Sequence, residues 1–183
     1  MTTSAQRPRK DQIRNRQRLL DAARTAFAEY GPGLSLEAIA RRAGVGTTTL
    51  YRHFPTKNDL VEQLLSDLCD GARRIAERAM TMHDAWEAFR TVFTQGCVLE
   101  PTDLFLFDTL CRTSPAAAEY GSQATFGIVA PVAERARHAG VLRTDVTVAD
   151  IAALMRMADS AVIAEERRAA QNVLLDGLRR TAG

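Results

Sequence analysis

The stretch Thr47-Thr48-Thr49-Leu50-Tyr51-Arg52-His53-Phe54 carries hydroxyl, guanidinium and imidazole groups and no acid. Wound as an α-helix at 100° per residue, it places Leu50 and Phe54 on one arc. Arg52 then points almost directly away from that arc, with Thr48 beside it and Thr47, Thr49, Tyr51 and His53 on the flanks. Such a face can donate hydrogen bonds to base edges and to phosphates. The residues before it supply a way to hold it. Gly44 lets the chain reverse without a Cβ clash, Val45 plugs the crossing, and Leu36–Ala43 gives a preceding short helix whose stripe is Leu36, Ile39 and Ala40. Two short helices joined this tightly are the signature of a helix-turn-helix, whose second helix lies in a major groove that just admits it.

Other chemistries find little support in the residues. His53, His83 and His138 are scattered, and no nucleophile triad, metal-ligand spacing or phosphate-binding loop occurs, so no catalytic residue, metal or cofactor is expected. Three cysteines (Cys69, Cys97, Cys111) are too few and too far apart for a disulfide framework or zinc site. A regulator switched by oxidation of Cys97 or Cys111 is the alternative reading, although no basic pair or helix start flanks either thiol to lower its pKa. No apolar run approaches a membrane span, and the basic N-terminus lacks the apolar core of a secretory signal, so a soluble, cytoplasmic protein is expected. Charge is unevenly divided. Residues 1–60 hold eleven Lys or Arg against five Asp or Glu, whereas residues 61–183 hold thirteen against seventeen. One end is therefore built to meet a polyanion.

Helical periodicity dominates all 183 residues, and the fold class is all-α. A first helix is predicted from about Gln12 to Tyr30, stopped by Gly31-Pro32-Gly33. Ser35 is the expected N-cap of the next helix, and Gly44 its left-handed C-cap. Thr56 with Asp59, and Thr147 with Asp150, read as helix-start signals. Further helices are predicted from Thr56 to about Met82 and over 84–99, 103–112, 116–139, 148–166 and 168–181. The 116–139 segment is expected to kink or break at Gly127 and Pro131.

Residues 16–65 resemble the DNA-binding domain of the TetR family of bacterial transcriptional regulators, most closely over IARRAGVGTTTLYRHFPTKNDL. Thr48 departs from the pattern, since many members have glycine or alanine there. The resemblance implies phosphate contacts from Ser35, Tyr51, His53 and Lys57, and base contacts from Thr47, Thr48 and Arg52. A basic arm over residues 1–11, extended by Arg14, Arg16 and Arg18, can add phosphate or minor-groove contacts. The helix-turn-helix domain is assigned to residues 12–58.

Residues 59–183 resemble, more weakly, the family's ligand-binding and dimerisation domain. Seven of the eleven aromatics crowd into positions 86–126. The candidate ligand-binding set is Trp86, Phe89, Phe93, Phe105, Phe107, Asp108, Tyr120, Phe126 and Met155, with Arg90 and Arg112 as further polar groups. The last two helices are expected to form a homodimer interface through Ile151, Leu154, Met155, Val162, Val173, Leu174 and Leu178. What the resemblance implies is a repressor that binds a palindromic double-stranded DNA operator as a dimer and is released by a small apolar effector.

Overall fold

The computed structural model describes residues 6–96, 101–161 and 163–180. Among them are nine helices and no strand: α1 (Gln6–Tyr30), α2 (Leu36–Ala43), α3 (Thr47–His53), α4 (Lys57–Met80), α5 (Ala85–Gln95), α6 (Pro101–Cys111), α7 (Pro115–His138), α8 (Val148–Asp159) and α9 (Ala164–Leu178). The chain divides into two compact units. The first comprises residues up to Asp67 together with Thr102–Gly121, and the second comprises Leu68–Pro101 and the residues from Ser122 onward. This division differs from the expected boundary at residue 58, because α6 and the start of α7 belong with the N-terminal unit.

Specific bonds explain that assignment. Arg24 on α1 pairs with Asp103 on α6 at 2.7 Å, and the Ser114 hydroxyl donates to Asn58 Oδ1 on α4 at 2.9 Å. At Gly121 a Cβ atom would stand 2.6 Å from Cys111 Sγ and 3.2 Å from the Phe107 ring, so glycine permits α7 to approach α6 this closely. The interior of the first unit is apolar, with Leu19, Phe27, Ile39, Leu50, Leu60 and Leu106 fully enclosed.

The helix ends follow their capping chemistry more closely than their periodicity. α1 begins at Gln6, six residues earlier than expected. Pro8 does not prevent this, because a first-turn residue needs no intrahelical N–H partner. α7 is one uninterrupted helix, contrary to the expected break. Pro131 lies inside it and removes one intrahelical N–H donor without ending the helix. α8 stops at Asp159 rather than 166. Ser160 caps it, its hydroxyl donating to the Met157 carbonyl at 2.7 Å, and the Arg167 guanidinium takes the Ala161 carbonyl at 3.0 Å. The Thr147/Asp150 box is present with both reciprocal bonds.

In the second unit, Arg135 of α7 donates to the carbonyls of Ala79, Met80, Met82 and His83, closing the C-terminal end of α4 and the turn into α5. Asp84 caps α5 by accepting from the Trp86 and Glu87 amides at 2.7 and 3.0 Å. Asp159 is 7% exposed, and Gln171 Nε2 reaches both its Oδ1 and the Thr94 carbonyl, at 3.5 and 3.4 Å. Burial raises the Asp159 carboxyl to about 6, against the opposing charge of Arg167 and the Gln171 hydrogen bond.

Two stability outcomes follow. Arg135→Ala removes charge-assisted bonds to four carbonyls and should cost about 1.5–3 kcal/mol in denaturant unfolding, and an unchanged midpoint would exclude that role. For Asp159, the folded state holds its proton more tightly than the unfolded chain. Its contribution is therefore complete below about pH 4 and is lost as pH rises through about 6. Asp159→Asn should flatten the stability profile across that window by about 1–3 kcal/mol relative to the parent, measured by unfolding at pH 4.5 and 7.5.

Candidate nucleic-acid interface

The site lies within the first unit and is assembled from three local devices. Ser35 sits in extended backbone and its Oγ accepts from the Ala38 amide at 3.2 Å, fixing the start of α2. At the other end Gly44 adopts φ +62°, where its amide meets the Arg41 carbonyl at 3.2 Å while the Val45 amide meets the Ala40 carbonyl at 3.0 Å. This paired closure is a Schellman motif, completed by the buried side chain of Val45. A β-carbon at Gly44 would also lie 3.0 Å from Arg18 Nη2. Gly46 then opens α3, its carbonyl accepting from Leu50 at 3.0 Å.

Leu50 is 0% exposed and Phe54 2% exposed, and these two anchors set the rotation of α3. Arg16 of α1 lies 5.1 Å over the Phe54 ring and donates to Gln63 at 2.7 Å, closing the apolar contact from outside. With that arc consumed, Thr47, Thr48, Tyr51 and Arg52 are exposed together, as the helical projection predicts. Arg52 has no ion-pair partner among the described residues, which leaves its planar fork for a ligand.

Two expected contact residues have other partners, and a third is partly enclosed. Lys57 donates to the Pro32 carbonyl at 2.6 Å and stands 5.7 Å over the Phe27 ring, and burial lowers its pKa. The ammonium ties α4 to the Gly31–Gly33 turn, so it is a structural strap as well as a charge. His53 is half-buried, its Nε2 is enclosed, and it has no hydrogen-bond partner among the described residues. Burial, then the charges of Arg16 and Arg52, lower its pKa, so the neutral ring is favoured. Tyr51 donates its hydroxyl to the Glu37 carboxylate on α2. The description of this surface as free of acid thus holds for α3 alone. Glu37 could be placed in the first turn of α2 from the sequence, but its reach across to Tyr51 required the packing angle of the two helices.

The remaining expected residues are dispersed. Trp86, Phe89 and Phe93 form a buried row in the second unit, with ring centroids 5.6 and 5.9 Å apart, and Met155 is also buried there. Phe126 belongs to the same unit but is exposed, whereas Phe105, Phe107, Asp108 and Tyr120 belong to the first unit, with Phe105 and Asp108 exposed. Arg90 pairs with Glu87 and Arg112 donates to Thr109. Of the expected interface residues, Ile151, Met155 and Leu178 are consumed by the chain's own core. Leu154 and Leu174 are half-buried, Val173 is 71% exposed, and Val162 lies outside the described residues. The redox reading gains nothing from the thiols: Cys69 is buried with its pKa pushed up by burial, Cys111 is half-buried, and Cys97 lies outside the described residues.

The family model for bacterial regulatory proteins of the tetR family matches residues 19–64, the span that holds Ser35, Gly44, α3 and Lys57. Residues 19–64 therefore carry the DNA-binding domain of the TetR family. An HTH-type transcriptional regulator of Staphylococcus aureus (strain bovine RF122 / ET3-1) is 49% identical over 53 residues, which is 28% of this chain and 29% of that relative. The match to such curated relatives thus spans less than a third of their length. Among solved structures, a TetR transcriptional regulator from Streptomyces coelicolor is 28% identical, with 91% of this chain and 99% of that one aligned at a TM-score of 0.53. CprB, a TetR family protein from S. coelicolor A3(2), is 21% identical, covers 94% and 92% of the two chains at a TM-score of 0.62, and shares the fold. Members of the TetR family are DNA-binding regulators rather than enzymes. No helix among the described residues is long and apolar enough to cross a membrane.

Arg52 and Lys57 should separate in experiment. Arg52→Ala should leave the unfolding midpoint unchanged yet cost about 1–3 kcal/mol on a preferred duplex and relax base preference at one position per half-site. Lys57→Ala should weaken binding to all duplexes alike and also lower stability by about 0.5–1.5 kcal/mol through the lost bond to Pro32. Equal loss on preferred and random DNA for Arg52→Ala would reduce that arginine to a phosphate contact.

Proposed function

We propose that this TetR-family protein is a ligand-responsive transcriptional repressor that binds a palindromic operator as a homodimer in the cytoplasm. The observation that carries the reading is the exposure of Thr47, Thr48, Tyr51 and Arg52 on the side of α3 opposite buried Leu50 and Phe54. A helix anchored in this way offers a donor-rich face of the width a major groove accepts. Thr47, Thr48 and Arg52 are the proposed base readers. Ser35, Tyr51 and Lys57 are the proposed phosphate contacts, and His53 supports them through its packing.

One such helix contacts few base pairs, so affinity depends on presenting two at once. The face available for pairing joins α8 and α9. Met157 is 68% and Val173 71% exposed, and both line one shallow groove with Ala169, Ala170 and Leu174. Exposed apolar surface of this kind is what a two-fold interface buries. Leu154 and Leu174 complete the proposed contact, while Ile151, Met155 and Leu178 support it from beneath. For the effector, the buried row Trp86, Phe89 and Phe93 with Met155 supplies the apolar surroundings a small apolar molecule would need.

Selection from a pool of random duplexes tests the reading. The expected product is an inverted repeat bound with a steep dependence on salt. Val173→Glu should shift the protein to monomer in sedimentation and weaken binding to that repeat by about a hundredfold or more. Recovery of sequences without two-fold symmetry, or a monomeric variant that binds as tightly as the parent, would overturn it.

A further inference from the structure

Between Ser35 and Lys57 the sequence holds four basic residues and a single acid, Glu37. That acid is exposed in the first turn of α2 and accepts the Tyr51 hydroxyl from α3. It is not part of an ion pair among the described residues, and Arg42 of the same helix pairs with Glu29 at 2.8 Å and lies over the Tyr30 ring. Hydrogen bonds from Tyr51, from its own backbone amide and from Ser35 hold the carboxyl below the usual carboxylate range, so it is charged at neutral pH. The same bond, with burial second, raises the Tyr51 hydroxyl, which therefore remains a donor.

A charged carboxylate here costs binding energy on any duplex, because it stands among the groups that face the phosphate backbone. It also competes for donors. The Tyr51 hydroxyl is a partner a phosphate oxygen would take, and a phosphate must displace Glu37 to take it.

Resting on the DNA-binding reading, we infer that Glu37 is an affinity-setting residue whose carboxylate occupies, in the unbound protein, the Tyr51 hydroxyl that a DNA phosphate needs. Its effect is independent of base sequence, because phosphates carry no sequence information. It weakens the hold on random DNA, and so favours release and search, without altering which base pairs are preferred.

The test measures binding of the full-length protein to a preferred duplex and to a random duplex over a salt series. Glu37→Gln removes the charge and keeps an acceptor for Tyr51, whereas Glu37→Ala removes both. Affinity for both duplexes should rise by roughly three- to tenfold, more for Glu37→Ala than for Glu37→Gln, with the ratio between duplexes preserved. Tyr51→Phe should then cost more in the Glu37→Ala background than in the parent, since only there is the hydroxyl released to phosphate. Circular dichroism and unfolding midpoints confirm that each variant is folded, and Glu37→Gln carries the test if Glu37→Ala is not. Variants that bind random DNA no more tightly than the parent would overturn the inference, as would a change confined to the preferred duplex, which would make Glu37 a base reader. Failure of the parent to bind any duplex at low salt would instead remove the DNA-binding reading itself.

Discussion

Everything on the first unit's working surface depends on the burial of Leu50 and Phe54. A seven-residue helix has little stability of its own, so its place and rotation must come from tertiary contact. Two apolar side chains four residues apart give it one buried stripe, and burying each contributes about 1.5–3 kcal/mol. That stripe leaves a single orientation in which Arg52 points to solvent. Gly44 makes the arrangement reachable, because its left-handed backbone brings α2 and α3 together within a three-residue turn. Arg16 over Phe54 supports that contact, and Lys57 at the Pro32 carbonyl ties α4 to the Gly31–Gly33 turn, so two cations in a basic domain are spent on structure.

This constraint also explains what could be read from the sequence. The two turns of α3 follow from a local rule, helical spacing between Leu50 and Phe54, and the outward face of Thr47, Thr48, Tyr51 and Arg52 was legible from it. Ser35, Gly44 and the Thr147/Asp150 box were legible for the same reason, since a cap is written within four residues. Contacts across elements were not. Lys57 reads as an exposed cation at a helix start until Pro32, 25 residues earlier, is seen to accept from it. Glu37 reads as a favourable first-turn acid until Tyr51 is found bonded to it.

Periodicity was a weaker guide in the second unit, for a physical reason. α8 and α9 carry apolar residues on more than one side, so spacing alone does not divide those that fill the chain's own core from those left outward. Ile151, Met155 and Leu178 fell into the first class, and Val173 with Met157 into the second. The aromatic window 86–126 was likewise one feature in sequence and two in space, because the first unit takes α6 and the start of α7 while the second takes α5. Its three buried rings, Trp86, Phe89 and Phe93, share a helix face, whereas Phe105 and Phe126 do not join them.

The central claim is that α3, held by Leu50 and Phe54, is the surface that meets DNA. Its most direct measurement is a titration of isotope-labelled protein with a preferred duplex, followed by the backbone amide signals in two-dimensional NMR. The amides of Thr47–His53 and those around Ser35 and Glu37 should shift together, saturating at one duplex per dimer, while signals from the second unit remain near their free positions. Shifts that map to the second unit and leave Thr47–His53 unmoved would contradict the account.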